Sequence, residues 1–340
     1  MTTKEQTYEL IIVGGGPAGL KAGEEARAAG IDYIILEKGG IADAWQSLRP
    51  EMFMLSPCHP QRDWTSLSGK FPIWRLDIRR PFCTAEEFVH YLREYASSYN
   101  ANLQVRTEVQ SITKDTNLFR LGTRSGTYSA PYVLVTTGFL SNPYIPDVPG
   151  FRESDCVIHS HYFKGAKAFR SRRVVVIGAG NSAAETALAL CGEAQTHLYT
   201  RGNLKFFSKS KNLCHIRGIS ESLLLEMIKM KLVHHVPNIR ALRLENRTLT
   251  MKTHSIKIDD IICATGYRPH LQMLNPLSVR YGNTRYYPEI SQMGESIQIE
   301  NLFFGGPLAR FRSSSQFIHG FIKVIPQTIH EINRRLRNLY

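Results

Sequence analysis

The chain has no Cys-x-x-Cys pair, no Cys/His spacing suited to zinc and no long apolar run. Its six cysteines, Cys58, Cys83, Cys156, Cys191, Cys214 and Cys263, are scattered. That scatter excludes a zinc ribbon or a redox dithiol of short spacing. No stretch approaches the roughly 18 apolar residues that a membrane span requires. The amino terminus also lacks a basic segment followed by an apolar core. A soluble, cytoplasmic protein is therefore expected. Acidic residues are in deficit, 29 Asp and Glu against 42 Lys and Arg, a formal charge of +13. The basic residues are spread along the chain without a nucleic-acid motif, so nucleic acid is not the expected partner. Part of the excess, Arg201, Lys205, Lys209 and Lys211, gathers in one stretch.

Two glycine fingerprints are present. The first is Gly14-Gly15-Gly16-Pro17-Ala18-Gly19 and the second Gly178-Ala179-Gly180-Asn181-Ser182-Ala183. Each lies between an apolar run and a helical pattern. Tyr8 to Val13, Pro17 to Ala29 and Asp32 to Leu36 read as strand, helix and strand; Arg173 to Ile177, Ser182 to Cys191 and Thr196 to Thr200 repeat the series. In such a βαβ unit one glycine makes the tight turn, another lets backbone amides approach a pyrophosphate, and a third permits close helix packing. At the same distance from the first glycine of each copy stand Glu37 and Arg201. A carboxylate accepts hydrogen bonds from ribose hydroxyls, whereas a guanidinium suits a 2′-phosphate. The first site thus reads as FAD and the second as NADPH.

Between the two units, Thr84 to Ser98 reads as a helix with Phe88, Tyr91, Leu92 and Tyr95 on its core stripe. Leu103 to Val109, Leu118 to Gly122 and Thr127 to Ser129 suggest a small antiparallel sheet. Tyr132 to Val135 is a buried strand that ends in Thr136-Thr137-Gly138. The proline-rich stretch Asn142 to Gly150 marks a boundary. Asp260 to Cys263 and Ala264-Thr265-Gly266-Tyr267 close the second unit in the same form. The fold class is therefore α/β, with two Rossmann-like domains and the NADPH domain (146–266) inserted in an FAD domain (1–145 and 267–340). Strand Asn301 to Phe304 leads through Gly305-Gly306-Pro307 and the serines 313–315 to a helix from Gln316 and Phe317. Its amino terminus would stabilise negative charge on a reduced flavin, and Pro326 is expected to kink it.

These residues resemble the flavoproteins with two dinucleotide sites that include thioredoxin reductases and flavin-containing monooxygenases. The closer likeness is to the monooxygenases of the YUCCA type. It rests on Glu37 to Trp45, on His159-Ser160-His161-Tyr162-Phe163 with Phe169 to Ser182, and on Ala264 to Tyr267. The phenylalanine and glycine that open the monooxygenase motif are not matched in spacing, and Ser56 stands nearest to the place of a flavin-side asparagine. Ala18 replaces the cysteine that bacillithiol disulfide reductases carry in the first fingerprint, and no dithiol of the thioredoxin-reductase kind is present.

The resemblance implies that Gly14, Gly15, Gly16, Pro17, Ala18, Gly19, Glu37, Lys38, Ala44, Trp45, Ser56, Val109, Thr137, Gly138, Gly306, Gln316 and Phe317 hold FAD. Gly178, Gly180, Asn181, Ser182, Ala183 and Arg201 would hold NADPH. The implied reaction is oxygenation of a small molecule with O2 through a C4a-peroxyflavin. His59 is the candidate for proton handling, Cys58 lies in the same loop, and His159 is expected to bond across the domain boundary. No metal is expected. The alternatives are a reductase passing electrons to a small oxidant or an acidic, ferredoxin-like protein, and a nucleotide-binding sensor without turnover.

Overall fold

A computed structural model describes residues 5–205, 218–252, 254–282, 286–309 and 317–338. Gln316, the serines at 313–315, Lys209, Lys211 and Cys214 lie outside the described residues. The chain divides into two compact units, Met1–Asn142 with Pro269–Tyr340, and Pro143–Arg268.

In the first unit a five-stranded parallel sheet has the order Leu302–Phe304, Tyr132–Val135, Leu10–Val13, Tyr33–Leu36, Leu103–Gln104. Its central strands are apolar along their whole length because both faces are covered. Leu10, Ile12, Tyr33, Ile35, Tyr132, Leu134 and Phe303 pack with residues of the helices Pro17–Ala28, Ala85–Ser98 and Ile318–Asn338. The alternate residues Ile11, Val13, Ile34, Leu36, Val133 and Val135 pack against Ile112, Phe119 and Leu121. These belong to an antiparallel sheet of Ser111–Asp115, Leu118–Gly122 and Thr127–Ala130, which Gln6–Thr7 extends in parallel. The expected strand Leu103 to Val109 stops at Gln104, where Arg106 turns into positive φ (53°). The helix Ile318–Asn338 continues through Pro326.

The second unit repeats the plan. Its parallel sheet has the order Val157–His159, Asp260–Cys263, Arg173–Ile177, Gln195–Tyr199, Val233–Val236. Val174, Val176, Leu198 and Ile262 face the helices Asn181–Leu190 and Ile219–Lys229 through Ala183, Ala187 and Leu224. Val175, Ile177, Tyr199 and Ile261 pack with Leu244, Leu249 and Ile256 of a three-stranded antiparallel meander. Among the described residues no helix is long and apolar enough to cross a membrane.

The helix Ala85–Ser98 begins with a capping box: the Glu87 amide donates to the Thr84 hydroxyl, and the Thr84 amide donates to the Glu87 carboxylate at 2.7 Å. Its buried stripe contains Phe88, Tyr91, Leu92 and Tyr95. Removing the hydroxyl strands one amide, so Thr84→Ala is expected to lower stability by about 1 kcal/mol. Urea unfolding checks it, and an unchanged midpoint would contradict the cap.

Candidate functional site

The first cradle is built by contacts that no side chain could survive. Gly14 has φ of 111°, and a Cβ there would lie 3.0 Å from the Thr136 carbonyl carbon. A Cβ on Gly19 would lie 1.9 Å from the Gly14 carbonyl oxygen, so only glycine lets the helix Pro17–Ala28 close on the turn. Gly16 differs, because a Cβ there would meet nothing within 4 Å. Packing leaves that space open at a helix amino terminus where no side chain caps Gly16 and Pro17 occupies the first turn. An anion of pyrophosphate shape fits such an uncapped, sterically open start.

Glu37 sits buried just beyond the strand Tyr33–Leu36. One carboxylate oxygen accepts the Gly15 amide at 2.6 Å and the other the Gly39 amide at 2.9 Å. Burial raises its carboxyl above the ordinary range, against the lowering effect of the Gly39 and Gly15 amides. Each oxygen retains a lone pair for a ribose hydroxyl. The turn that follows is held to the fingerprint by the Ala42 amide, which donates to the Gly15 carbonyl at 3.1 Å. Ala44 and Trp45 are half-buried there, with Trp45 edge-on to Phe88 at 4.9 Å, while Lys38 is exposed.

The Thr136 hydroxyl donates to the Val13 and Gly14 carbonyls, each at 3.0 Å. Next to it the Thr137 hydroxyl is buried without a partner, and Gly138 has φ of 64°. Gly306 also has positive φ (64°), and a Cβ on it would come within 2.7 Å of Ala18 Cβ. The fold therefore gathers residues 14–19, 37, 136–138 and 306 around one turn. An orphaned hydroxyl inside that cluster is a group that a bound ligand would satisfy.

Other expected contacts lie elsewhere in the same unit. Ser56 is buried, and its carbonyl accepts the Thr65 hydroxyl at 3.1 Å. His59 is exposed and accepts the Gln61 amide at 3.3 Å within its own hairpin. Val109 is half-buried against the core that contains Ile112 and Phe119. Phe317 stacks on His319 at 5.8 Å, and His319 lies on Trp64 at 4.4 Å. Its Nδ1 is buried and unpartnered, and burial lowers its pKa. Reading the sequence missed His319; its place in the first turn after the expected helix start was the available signal.

In the second unit Gly178 has φ of 155°, and a Cβ there would sit 2.3 Å from the Ala264 carbonyl oxygen. Gly180, like Gly16, faces open space, and no side chain caps the helix it precedes. Asn181 is buried; its amide nitrogen donates to Glu221 at 2.9 Å, and its carbonyl oxygen has no partner. Ser182 is exposed and Ala183 buried. Arg201 is exposed beyond the strand Gln195–Tyr199. The Thr200 hydroxyl shapes its turn by donating to the Gly202 carbonyl at 2.6 Å, with His235 Nε2 at 3.0 Å. A separate open cleft of about 500 Å3 beside His197, His234 and His254 is lined by none of these fingerprint residues. Among the described residues no cluster of His, Cys, Asp or Glu could hold a metal ion.

His159 does not bond across the division between the units as expected. Its Nε2 meets the Gly266 carbonyl at 2.9 Å, and its Nδ1 accepts the His161 amide at 3.0 Å, both within the second unit. An acceptor Nδ1 and a donor Nε2–H define one neutral tautomer. Burial is the main cause that pushes the His159 pKa down to about 4. Around it the Tyr144 amide donates to the Gly266 carbonyl at 2.9 Å, and the Thr265 hydroxyl donates to the Tyr144 carbonyl. The Ala-Thr-Gly-Tyr turn is thereby tied to the strand Val157–His159 and to the proline-rich entry of the unit.

Two parallel sheets, each with a glycine turn leading into a helix, are an arrangement that dinucleotide-binding oxidoreductases share. The chain belongs to the pyridine nucleotide-disulphide oxidoreductase family, whose profile matches residues 11–306. It is 28% identical to the bacilliredoxin reductase Bdr of Bacillus subtilis over 91% of this chain and 92% of that protein. It is also 28% identical to the probable indole-3-pyruvate monooxygenase YUCCA4 of Arabidopsis thaliana, over 66% of this chain and 54% of that one. The structure of a flavin-containing monooxygenase from Stenotrophomonas maltophilia superposes with a TM-score of 0.83, covering 97% of this chain and 99% of that chain at 21% identity. That identity speaks to the fold alone. Family membership implies FAD and NADPH as cofactors, and the two open glycine cradles fit them.

Two outcomes are expected from this geometry. Gly16→Ala should cut FAD occupancy at least tenfold with little change in unfolding of the flavin-free protein, because its Cβ enters only the open space. Gly19→Ala should lower the stability of the flavin-free protein itself. Flavin absorbance and denaturant midpoints read both, and equal behaviour of the two variants would sink the distinction. For His159, a folded-state pKa of about 4 against an ordinary 6.5 means that the unfolded chain binds the extra proton first. Its contribution is complete above pH 6.5 and is lost as pH falls towards 4, by up to roughly 3 kcal/mol. A His159→Asn variant should show a shallower loss of urea stability across that window; a parallel profile would refute it.

Proposed function

We propose that this chain is an NADPH-dependent FAD monooxygenase acting on a small molecule with O2. The observation that carries the cofactor part is the contrast at equivalent positions of two similar cradles. Glu37 presents a buried carboxylate, held by two amides, where a ribose diol would bind. Arg201 presents an exposed guanidinium where a phosphorylated ribose would bind. The residues proposed for FAD are those gathered around the first turn, with Trp45, Ser56 and the start of the helix at Ile318 alongside. Those proposed for NADPH run from Gly178 to Ala183 and include Arg201. The unit Pro143–Arg268 is proposed as the inserted NADPH domain.

When bound, the two cofactors supply hydride transfer and activation of O2. The chain's own part is to bind, orient and exclude water. The Gly14–Gly19 turn and its uncapped helix receive the pyrophosphate. Glu37 fixes the ribose, and the Thr137 hydroxyl offers the bond it lacks inside the protein. His319 Nδ1 is better placed than His59 for a role near a ligand, because it is buried and unpartnered while His59 is exposed. Oxygenation is favoured over disulfide reduction by Ala18, which leaves the first turn without a thiol, and by the likeness to YUCCA4. A second reading, electron transfer to an acidic protein or a small oxidant, draws on the +13 charge and on the likeness to Bdr across most of the chain.

NADPH is expected to bleach the yellow protein without oxygen, and a substrate screen should find a compound whose oxygenated product matches NADPH consumed. Hydrogen peroxide accounting for all the NADPH with every compound, together with rapid turnover on a protein acceptor, would establish the second reading instead. Arg201→Ala should weaken NADPH binding by about 2 kcal/mol, roughly 30-fold, and leave NADH little changed. Equal losses for both coenzymes in titration would remove Arg201 from the 2′-phosphate.

A further inference from the structure

Asn181 is the first residue of the helix Asn181–Leu190, and Glu221 stands in the first turn of the helix Ile219–Lys229. The two helices share one apolar core, through Ala183, Ala187 and Leu224. Both polar side chains are nonetheless buried, Asn181 at 7% and Glu221 at 2% exposure. Asn181 Nδ2 donates to Glu221 Oε1 at 2.9 Å. Asn181 Oδ1 is buried as well, and among the described residues it has no partner.

That bond decides which way the amide faces. A carboxylate only accepts, so turning the amide over would set Oδ1 against Glu221 Oε1, oxygen against oxygen. The nitrogen is therefore committed to the protein and the oxygen is left over. A buried acceptor without a donor costs free energy until a ligand or a water supplies one. Gly180, the residue before Asn181, has open space where a Cβ would stand, which leaves a ligand room at the turn.

We propose, on the reading of the second glycine turn as the NADPH seat, that Glu221 is a positioning residue for the coenzyme: it fixes the Asn181 amide so that Oδ1 accepts a ribose hydroxyl of bound NADPH. The chemistry of the coenzyme selects that group. Its phosphate oxygens are themselves acceptors, and the N–H groups of its two bases lie one ring beyond the sugars. The ribose hydroxyls are the donors nearest the pyrophosphate. A carboxylate at this place opposes an incoming phosphate, so direct attraction of the coenzyme is not the role of Glu221. Its effect runs through Asn181. Apart from the 2′ position that carries the phosphate, the ribose hydroxyls are the same in NADPH and NADH. Asn181 and Glu221 therefore act on both coenzymes alike, whereas Arg201 is proposed to tell them apart.

Full-length, FAD-loaded protein would be titrated calorimetrically with NADP+ and NAD+, which bind without passing hydride. Glu221→Gln keeps the size of the side chain but adds a donor, so the Asn181 amide can turn over and satisfy Oδ1 inside the protein. It is expected to weaken both coenzymes by about tenfold. The urea midpoint should change little, because a hydrogen bond to Asn181 persists. Asn181→Ala should weaken both coenzymes to a similar degree, and adding Glu221→Gln to it should cost nothing further.

Unchanged affinity in Glu221→Gln, additive losses in the double variant, or a loss confined to NADP+ would overturn the assignment. Should Glu221→Gln prove less stable, Asn181→Ala decides: no loss, or a loss for one coenzyme only, overturns it equally. Wild-type protein that binds neither coenzyme would remove the NADPH seat itself. Wild-type binding that the variants leave unaltered would remove only the role of Glu221.

Discussion

The two cradles depend on one steric constraint: a helix must start within contact distance of the turn that ends a strand. At Gly19 the room for a Cβ is already filled by the Gly14 carbonyl, and at Gly178 by the Ala264 carbonyl. Loss of the side chain at Gly19 lets the helix close on the turn, and at Gly178 it lets the turn close on the end of the neighbouring strand Asp260–Cys263. Everything proposed for nucleotide binding depends on that approach, because uncapped amides can grip an anion only where the chain leaves space beside them. Gly16 and Gly180 supply that space from the opposite condition, having nothing nearby. Within each fingerprint, therefore, one glycine is demanded by the protein's own packing and another has open space beside it.

The same sheet edge collects the remaining groups by topology. The strand Tyr132–Val135 lies next to Leu10–Val13 and next to Leu302–Phe304. Segments more than a hundred residues apart in sequence thus end at one place, bringing Thr137, Gly138 and Gly306 to the first turn. In the second unit Asp260–Cys263 lies beside Arg173–Ile177 and beside Val157–His159. That pairing is why His159 finds Gly266. The histidine acts as a fixed neutral bracket for the turn, which is a more economical account of its burial than acid–base chemistry.

Much of this was legible in the chain because it is local. Tyr132 to Val135, Arg173 to Ile177 and Asp260 to Cys263 read as strands to the residue, since parallel strands covered on both faces are unbroken apolar runs. Expectation exceeded the structure after Gln104, where the chain leaves the sheet edge while its apolar alternation continues. The meander from Arg243 to Lys257 was not anticipated, its strands being three residues each and too short to show a period. The place of His319 in the first helical turn could be read, but the burial that leaves its Nδ1 without a partner could not.

By itself, then, the sequence determined the duplicated glycine-turn architecture and the contrast of Glu37 with Arg201, since glycine spacing and the residue at the next strand end act within a single βαβ unit. Only the tertiary structure decided which distant groups share a site. The unpartnered Thr137 hydroxyl and the tautomer of His159 both arise where segments remote in sequence are packed against each other. Such contacts are set by the order of strands and the closure of the core, and no local pattern encodes them.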